Sequence, residues 1–181
     1  MCTTQRLALQ RFNEEGFDQV TVDSIAEEMG MAASTVYRHF GTKENLVLWD
    51  EHDIEIERAI VSHLGRKPPL LALRDAFNDS LVERYSSEQK FQLQRIRYIY
   101  ATTELHAAAV NADYQARVEL TKALESTLSK PHRKSATLLA GAALLALDIA
   151  LDRWQSSKAK TSLKDCINDA FNELICVATI K

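Results

Sequence analysis

Glycine and proline are scarce, five and three in 181 residues, and no stretch alternates Val, Ile or Thr with polar residues as a half-buried strand does. An all-α protein is the expectation. Cysteine is scarce too: Cys2, Cys166 and Cys176 are odd in number and show no CxxC spacing. That pattern argues against a disulfide framework or a zinc site and suits a reducing compartment. The opening MCTTQRLALQ lacks the apolar stretch of a secretory signal. The longest apolar run, Ala136 to Leu147, stops at Asp148, short of the roughly 20 residues that a bilayer helix needs. A soluble, cytoplasmic chain with no membrane partner is expected. Also missing are a Gly-rich phosphate loop, HExxH and GxSxG, and the histidines at 39, 52, 63, 106 and 132 have no metal-ligand spacing. The sequence therefore predicts no catalytic residues, no cofactor and no metal, and reads as a protein that is not an enzyme. The acidic cluster Asp50, Glu51, His52 and Asp53 reads as a solvated helix face rather than a metal site.

Charge gives little global guidance, since the net value is −3. Its distribution is more informative. In the first 48 residues Arg6, Arg11, Arg38 and Lys43 stand against Glu14, Glu15, Asp18, Asp23, Glu27, Glu28 and Glu44, yet no acid lies between Glu28 and Glu44. A local excess of positive charge is thus confined to the segment MGMAASTVYRHFGTKENL, a smaller footprint than most nucleic-acid binders carry.

Periodicity divides the chain into helices. The first spans about Thr3 to Glu15, with Ala8 and Phe12 one turn apart and Gly16 past its end. Val22, Ile25, Ala26 and Met29 share one face of the second, with Thr21 as N-cap and Val20 positioned to staple onto Ile25. Gly30, Met31 and Ala32 form a short turn to a third helix, about Ala33 to His39, with Val36 and Phe40 facing inward. Two helices joined by such a Gly-containing turn make a helix-turn-helix. Ala32 offers no side-chain acceptor at the N-cap, which weakens the third helix by ~1 kcal/mol. A fourth helix is predicted from Lys43 to about Leu64, capped by Thr42. After the break at Pro68 and Pro69, helical spacing returns over about 70–85, 88–101, 104–129, 134–156 and 162–178.

The string ALQRFNEEGFDQVTVDSIAEEMGMAASTVYRHFGTKENLV, residues 8–47, resembles the TetR (tetracycline-repressor) family of bacterial transcription regulators. The resemblance implies an all-α fold of about nine helices: a three-helix DNA-binding head over residues 1–46, and a helical effector-binding and dimerisation body over 47–181. It also implies a homodimer on a double-stranded DNA operator, most often a repressor released by a small-molecule effector. Carried over by position, Thr21 meets the DNA backbone, Ser34, Thr35, Tyr37, Arg38 and His39 lie on the recognition helix, and Lys43 meets a phosphate. The chemistry fits: Arg38 can donate two hydrogen bonds to guanine O6 and N7, the commonest specific base contact. The other side chains suit phosphate positioning.

The segment Ser135 to Leu151 is apolar on every face, so a single chain cannot cover it on all sides. Leu138, Ala142, Leu145 and Ile149, with Ile167, Phe171 and Leu174 of the following helix, are the candidate dimer interface. Phe77, Leu81, Tyr85, Ile96, Tyr100, Val110 and Tyr114 are candidate lining for an apolar or amphipathic effector. Arg97, flanked by Leu93 and Tyr100, is its candidate polar anchor, with Asp148 as a protein carboxylate that can answer it instead. The competing functions are a helical protein-interaction module that has lost DNA binding and, behind it, an enzyme.

Overall fold

The computed structural model describes residues 2–49, 58–60, 62–64 and 67–178, the backbone alone at Cys2 and Ala178. Regular structure among the described residues is helical. The chain groups into two units, residues 1–50 with 94–110 and residues 51–93 with 111–181. Residues 94–110, assigned from the sequence to the body, therefore group with the N-terminal helices.

The first unit opens with α1 (Cys2–Glu15), α2 (Val22–Glu28) and α3 (Ala33–Phe40). Gly16 takes φ +92 after α1 and Gly30 φ +64 after α2. At the second site Gly30 N–H bonds to Glu27 O at 2.9 Å and Met31 N–H to Ala26 O at 2.9 Å, the paired 5→2 and 6→1 bonds of a Schellman cap. Ala8, Leu9, Phe12, Val20, Val22, Ile25, Val36, Phe40, Leu46 and Val47 form the core. Each large apolar side chain buried there contributes about 1.5–3 kcal/mol.

The fourth helix departs from the expectation. It is a single turn, α4 (Asn45–Leu48), because Trp49 swings to φ −58 and ψ 132, an extended conformation that cannot continue a helix. Residues 50–57 lie outside the described residues, and with them the acidic cluster 50–53; residues 58–60 and 62–63 are helical. The continuous helix predicted to Leu64 is therefore broken at Trp49.

The remaining helices are α5 (Pro69–Ser87), α6 (Gln89–Ala101), α7 (Thr103–Thr127), α8 (Ala136–Ser156) and α9 (Leu163–Ala178), with a 3₁₀ turn Lys130–Ser135 before α8. Pro69 opens α5 at its first position, where its missing N–H costs nothing. In the second unit α9 packs on α8 and α5. Phe77 meets Phe171 with ring centroids 6.1 Å apart, Tyr85 meets Trp154 at 5.3 Å, and Arg153 donates two 2.8 Å hydrogen bonds to Glu173.

Helix α8 presents its small side to its own chain. Ala136, Ala140, Ala143, Ala146 and Ala150 are buried, whereas Leu138 is 76 % exposed, Leu145 58 % and Ile149 37 %. Alanines let α9 approach closely, and the large apolar residues are left facing outward. Two residues expected on that outer face are not there: Ile167 and Phe171 are fully buried, turned toward α5 and α8. Leu174 and Ala142 are half-buried. By length and composition Lys130–Ser156 is long and apolar enough to cross a membrane, with mean hydropathy 1.6 over its most apolar 18 residues and 28 % of that window buried. The apolar run does not end at Asp148, because Ile149, Leu151 and Trp154 extend it beyond that residue.

Candidate DNA-binding site

Helix α3 has eight residues, below the roughly 12 at which an isolated helix becomes even marginal in water. It is held from one side by Val36 and Phe40, both buried. The opposite side carries Ser34, Tyr37 and Arg38, all exposed, with Thr35 half-buried. Arg38 has no hydrogen bond or ion pair among the described residues, so its guanidinium is available to an external acceptor. Tyr37 is 45 % exposed.

The C-terminal end of α3 is fixed by backbone geometry. Gly41 has φ +77 and ψ −57, and Thr42 N–H bonds back to Phe40 O at 2.9 Å. This is the rarer, strained hand of γ-turn, a conformation glycine adopts without a Cβ clash. Asn45 Nδ2 donates to the same Phe40 O at 2.7 Å, while Thr42 Oγ1 accepts from Asn45 N at 3.3 Å. Thr42 thus holds the first amide of α4, which begins at Asn45 with Glu44 at the N-cap position, two residues later than the sequence pattern predicts.

At the head of α2, Thr21 Oγ1 accepts from Ser24 N at 3.1 Å and Ser24 Oγ accepts from Thr21 N at 3.3 Å. The Thr21 hydroxyl keeps its own proton to donate outward. Lys43 and His39 are less free than their positions suggest. Lys43 Nζ lies 4.3 Å from the Phe17 ring centroid and 5.7 Å from that of Phe12. The His39 ring meets Trp49 at 4.6 Å and Phe40 at 4.8 Å. Arg11 is committed elsewhere, hydrogen-bonded to Glu15 and, at 2.7 Å, to Glu28. Those hydrogen bonds, Glu15 first, push the guanidinium still further toward its charged form, and the same contact holds Glu15 below the usual carboxylate range.

The expected effector residues are divided between the two units. Phe77, Leu81 and Tyr85 are core residues of the second unit, and Ile96 is buried in the first, where Tyr100 is half-buried. Val110 is 58 % exposed and Tyr114 53 %. Arg97 is exposed, with no partner among the described residues, and Asp148 is exposed as well. Helix α6 buries Gln92, Arg95, Ile96 and Ile99 instead. An i, i+3, i+4, i+7 count started at Gln92 selects Arg95; the pairing of Leu93 with Tyr100 selects a half-buried flank. Of the expected set, Tyr114 lines the open groove of about 290 Å³ that Arg117, Val118, Thr121, Lys122 and Thr137 complete. The Arg117 guanidinium lies 5.1 Å over the Tyr114 ring centroid.

Comparison with known proteins matches residues 6–48 to the bacterial regulatory proteins of the tetR family and residues 67–177 to the MftR C-terminal domain. A Mycobacterium tuberculosis (strain ATCC 25618 / H37Rv) protein described as a mycofactocin biosynthesis transcriptional regulator, MftR, is 28 % identical over 104 residues, 56 % of this chain and 52 % of that protein. The chain thus spans about half the length of that relative. Among solved structures, a TetR family transcriptional regulator, PfmR, from Thermus thermophilus aligns over 96 % of this chain and 97 % of its own, at 16 % identity and a TM-score of 0.44.

The N-cap of α3 yields a direct test. Ala32 has the extended φ −68 and ψ 134 of a cap but makes no side-chain hydrogen bond. Ala32→Ser supplies the acceptor and should raise stability by about 1 kcal/mol. Urea midpoints of the two proteins measure it; equal midpoints would show that this helix end is already satisfied.

Proposed function

The chain belongs to the tetR family of bacterial regulatory proteins, and from that premise we propose that it is a homodimeric, cytoplasmic transcription regulator, most simply a repressor that a small apolar or amphipathic effector releases from its operator. The observation that carries the DNA-binding part is Arg38: an exposed, unengaged guanidinium on a short helix whose other side is buried. Tyr37, Ser34 and Thr35 flank it with groups that suit phosphate or base edges. Such a face has no use inside the fold, and a regulator rather than a catalyst is the reading it supports.

The exposed Leu138, Leu145 and Ile149 support the dimer. Large apolar side chains in one helical register favour a covered surface. A second copy covers them by symmetry and brings two heads to two half-sites. The effector part rests on family membership alone, and the groove at Tyr114 and Arg117 is the place in the second unit where an amphipathic anion finds a ring face and two cations.

Three outcomes test this reading. Genomic fragments retained by the purified protein should share a two-fold site; on that site Arg38→Ala should relax base preference at one position per half-site, at about 1–3 kcal/mol. Lys43→Ala should weaken all sites alike and reduce the salt slope by about one unit. If both variants bind as the unaltered protein does, α3 is not the reading helix. Leu145→Arg should give monomers or aggregates in sedimentation and lose operator affinity, since an unpaired charge in an interface costs several kcal/mol; a wild-type monomer at micromolar concentration defeats the dimer. Fatty acids, acyl thioesters and aromatic drugs should include a compound that lowers operator affinity by about 5- to 150-fold, the range of typical coupling energies. Indifference to every compound leaves a constitutive binder.

A further inference from the structure

Arg95 is 4 % exposed and lies on α6, far along the chain from the helix-turn-helix. Its Nε donates to Val47 O at 2.6 Å and its terminal nitrogen to Leu48 O at 2.9 Å. Gln5 Nε2 adds hydrogen bonds to Val47 O at 3.2 Å and Trp49 O at 2.9 Å. Three successive carbonyls at the end of a one-turn helix are thereby satisfied by two side chains. Helix ends leave their last carbonyls unpaired, and a cation there is favoured by the helix dipole. Arg95 supplies both the donors and the charge.

The clamped segment leads straight to α3. Trp49 meets the His39 ring at 4.6 Å and the Phe40 ring at 5.6 Å, and Asn45 holds Phe40 O. On the same α6, Tyr98 donates its hydroxyl to Phe12 O at 2.9 Å, and its ring stacks on Phe12 at 6.5 Å. A four-residue helix has too little of its own to hold this arrangement.

We infer that Arg95 is a positioning residue for DNA reading: by clamping the carbonyls of Val47 and Leu48 it sets Trp49 against His39 and so fixes the C-terminal end of the recognition helix. Its burial keeps it from reaching a phosphate. The inference rests on α3 being the reading helix and concerns what holds that helix in place. Arg95→Met keeps the aliphatic stem and removes the donors; Arg95→Lys keeps a charge that can reach one carbonyl.

The experiment measures operator affinity over a salt series, together with the NMR shifts of the His39 ring protons and the far-ultraviolet circular dichroism of each variant. Arg95→Met should bind about tenfold or more weakly, as expected when charged hydrogen bonds are lost, with an unchanged salt slope. The His39 protons should lose the ring-current shift that Trp49 imposes, and Arg95→Lys should recover part of both. A salt slope smaller by about one means that Arg95 itself meets a phosphate and overturns the inference. So do unchanged His39 shifts, or wild-type affinity in Arg95→Met. Should Arg95→Met fail to fold, Trp49→Ala, which keeps the clamp and removes the wedge, must lose operator affinity at constant salt slope, and wild-type affinity there overturns the inference. If the unaltered protein retains no DNA, the DNA-binding reading falls, while the His39 shifts of Arg95→Met still decide whether the clamp sets that ring.

Discussion

A helix of eight residues such as α3 cannot stabilise itself, and the first unit is organised around that constraint. α3 is held by its surroundings: its own Val36 and Phe40 are buried beneath it, Gly41 turns the chain at positive φ, Asn45 holds the last carbonyl and Trp49 packs against His39. The N-terminal end has the fewest supports, with Ala32 as an empty cap. Support is therefore concentrated at the C-terminal end, where Arg38 and His39 lie. The contacts thus bear chiefly on the turn that carries Arg38.

The second unit solves a different problem by inverting the usual arrangement. A helix on a single-chain core normally turns its largest apolar residues inward. Here α8 buries a row of alanines and shows Leu138, Leu145 and Ile149, and Trp154 near its end is the large side chain it turns fully inward. That choice keeps α9 close, at the cost of an apolar outer face that a monomer has no reason to display. The charged links lie at the margins, as with Arg153 and Glu173, and exposed pairs of that kind stabilise by about 0–1 kcal/mol. Cohesion comes from Trp154, Phe77 and Phe171.

Much of this was legible in the sequence. The limits of α1 and α2 follow from Gly16, Thr21 and Gly30, because caps and left-handed turns are written in single residues. The later helices also fall within a few residues of their predicted ends. The break at Trp49 was not legible, since nothing in ENLVLWDEHD forbids a helix; the tertiary hydrogen bonds from Gln5 and Arg95 favour the carbonyls left open there. The sequence pattern points to Arg97 and passes over Arg95, because the neighbouring apolar residues leave the helical phase ambiguous. Ile167 and Phe171 carried the same stripe pattern whether covered by their own chain or by another, and periodicity records burial without naming what covers it.

Charge decides how such a head can hold DNA. Each phosphate neutralised adds about 0.9 to the salt slope, yet Arg11 is tied to Glu15 and Glu28. One head therefore offers few cations, against a surface rich in carboxylates. Affinity that is not supplied by non-specific attraction has to come from geometry, through a fixed α3 and, in the proposed dimer, two heads bound at once. Linking two weak sites raises overall affinity only when both engage in register, so disorder in either head costs more here than in a strongly basic binder. A buried arginine spent on carbonyls of the backbone, in a unit this short of cations, makes sense in those terms: its charge does more by holding the reading helix still than by adding one more phosphate contact.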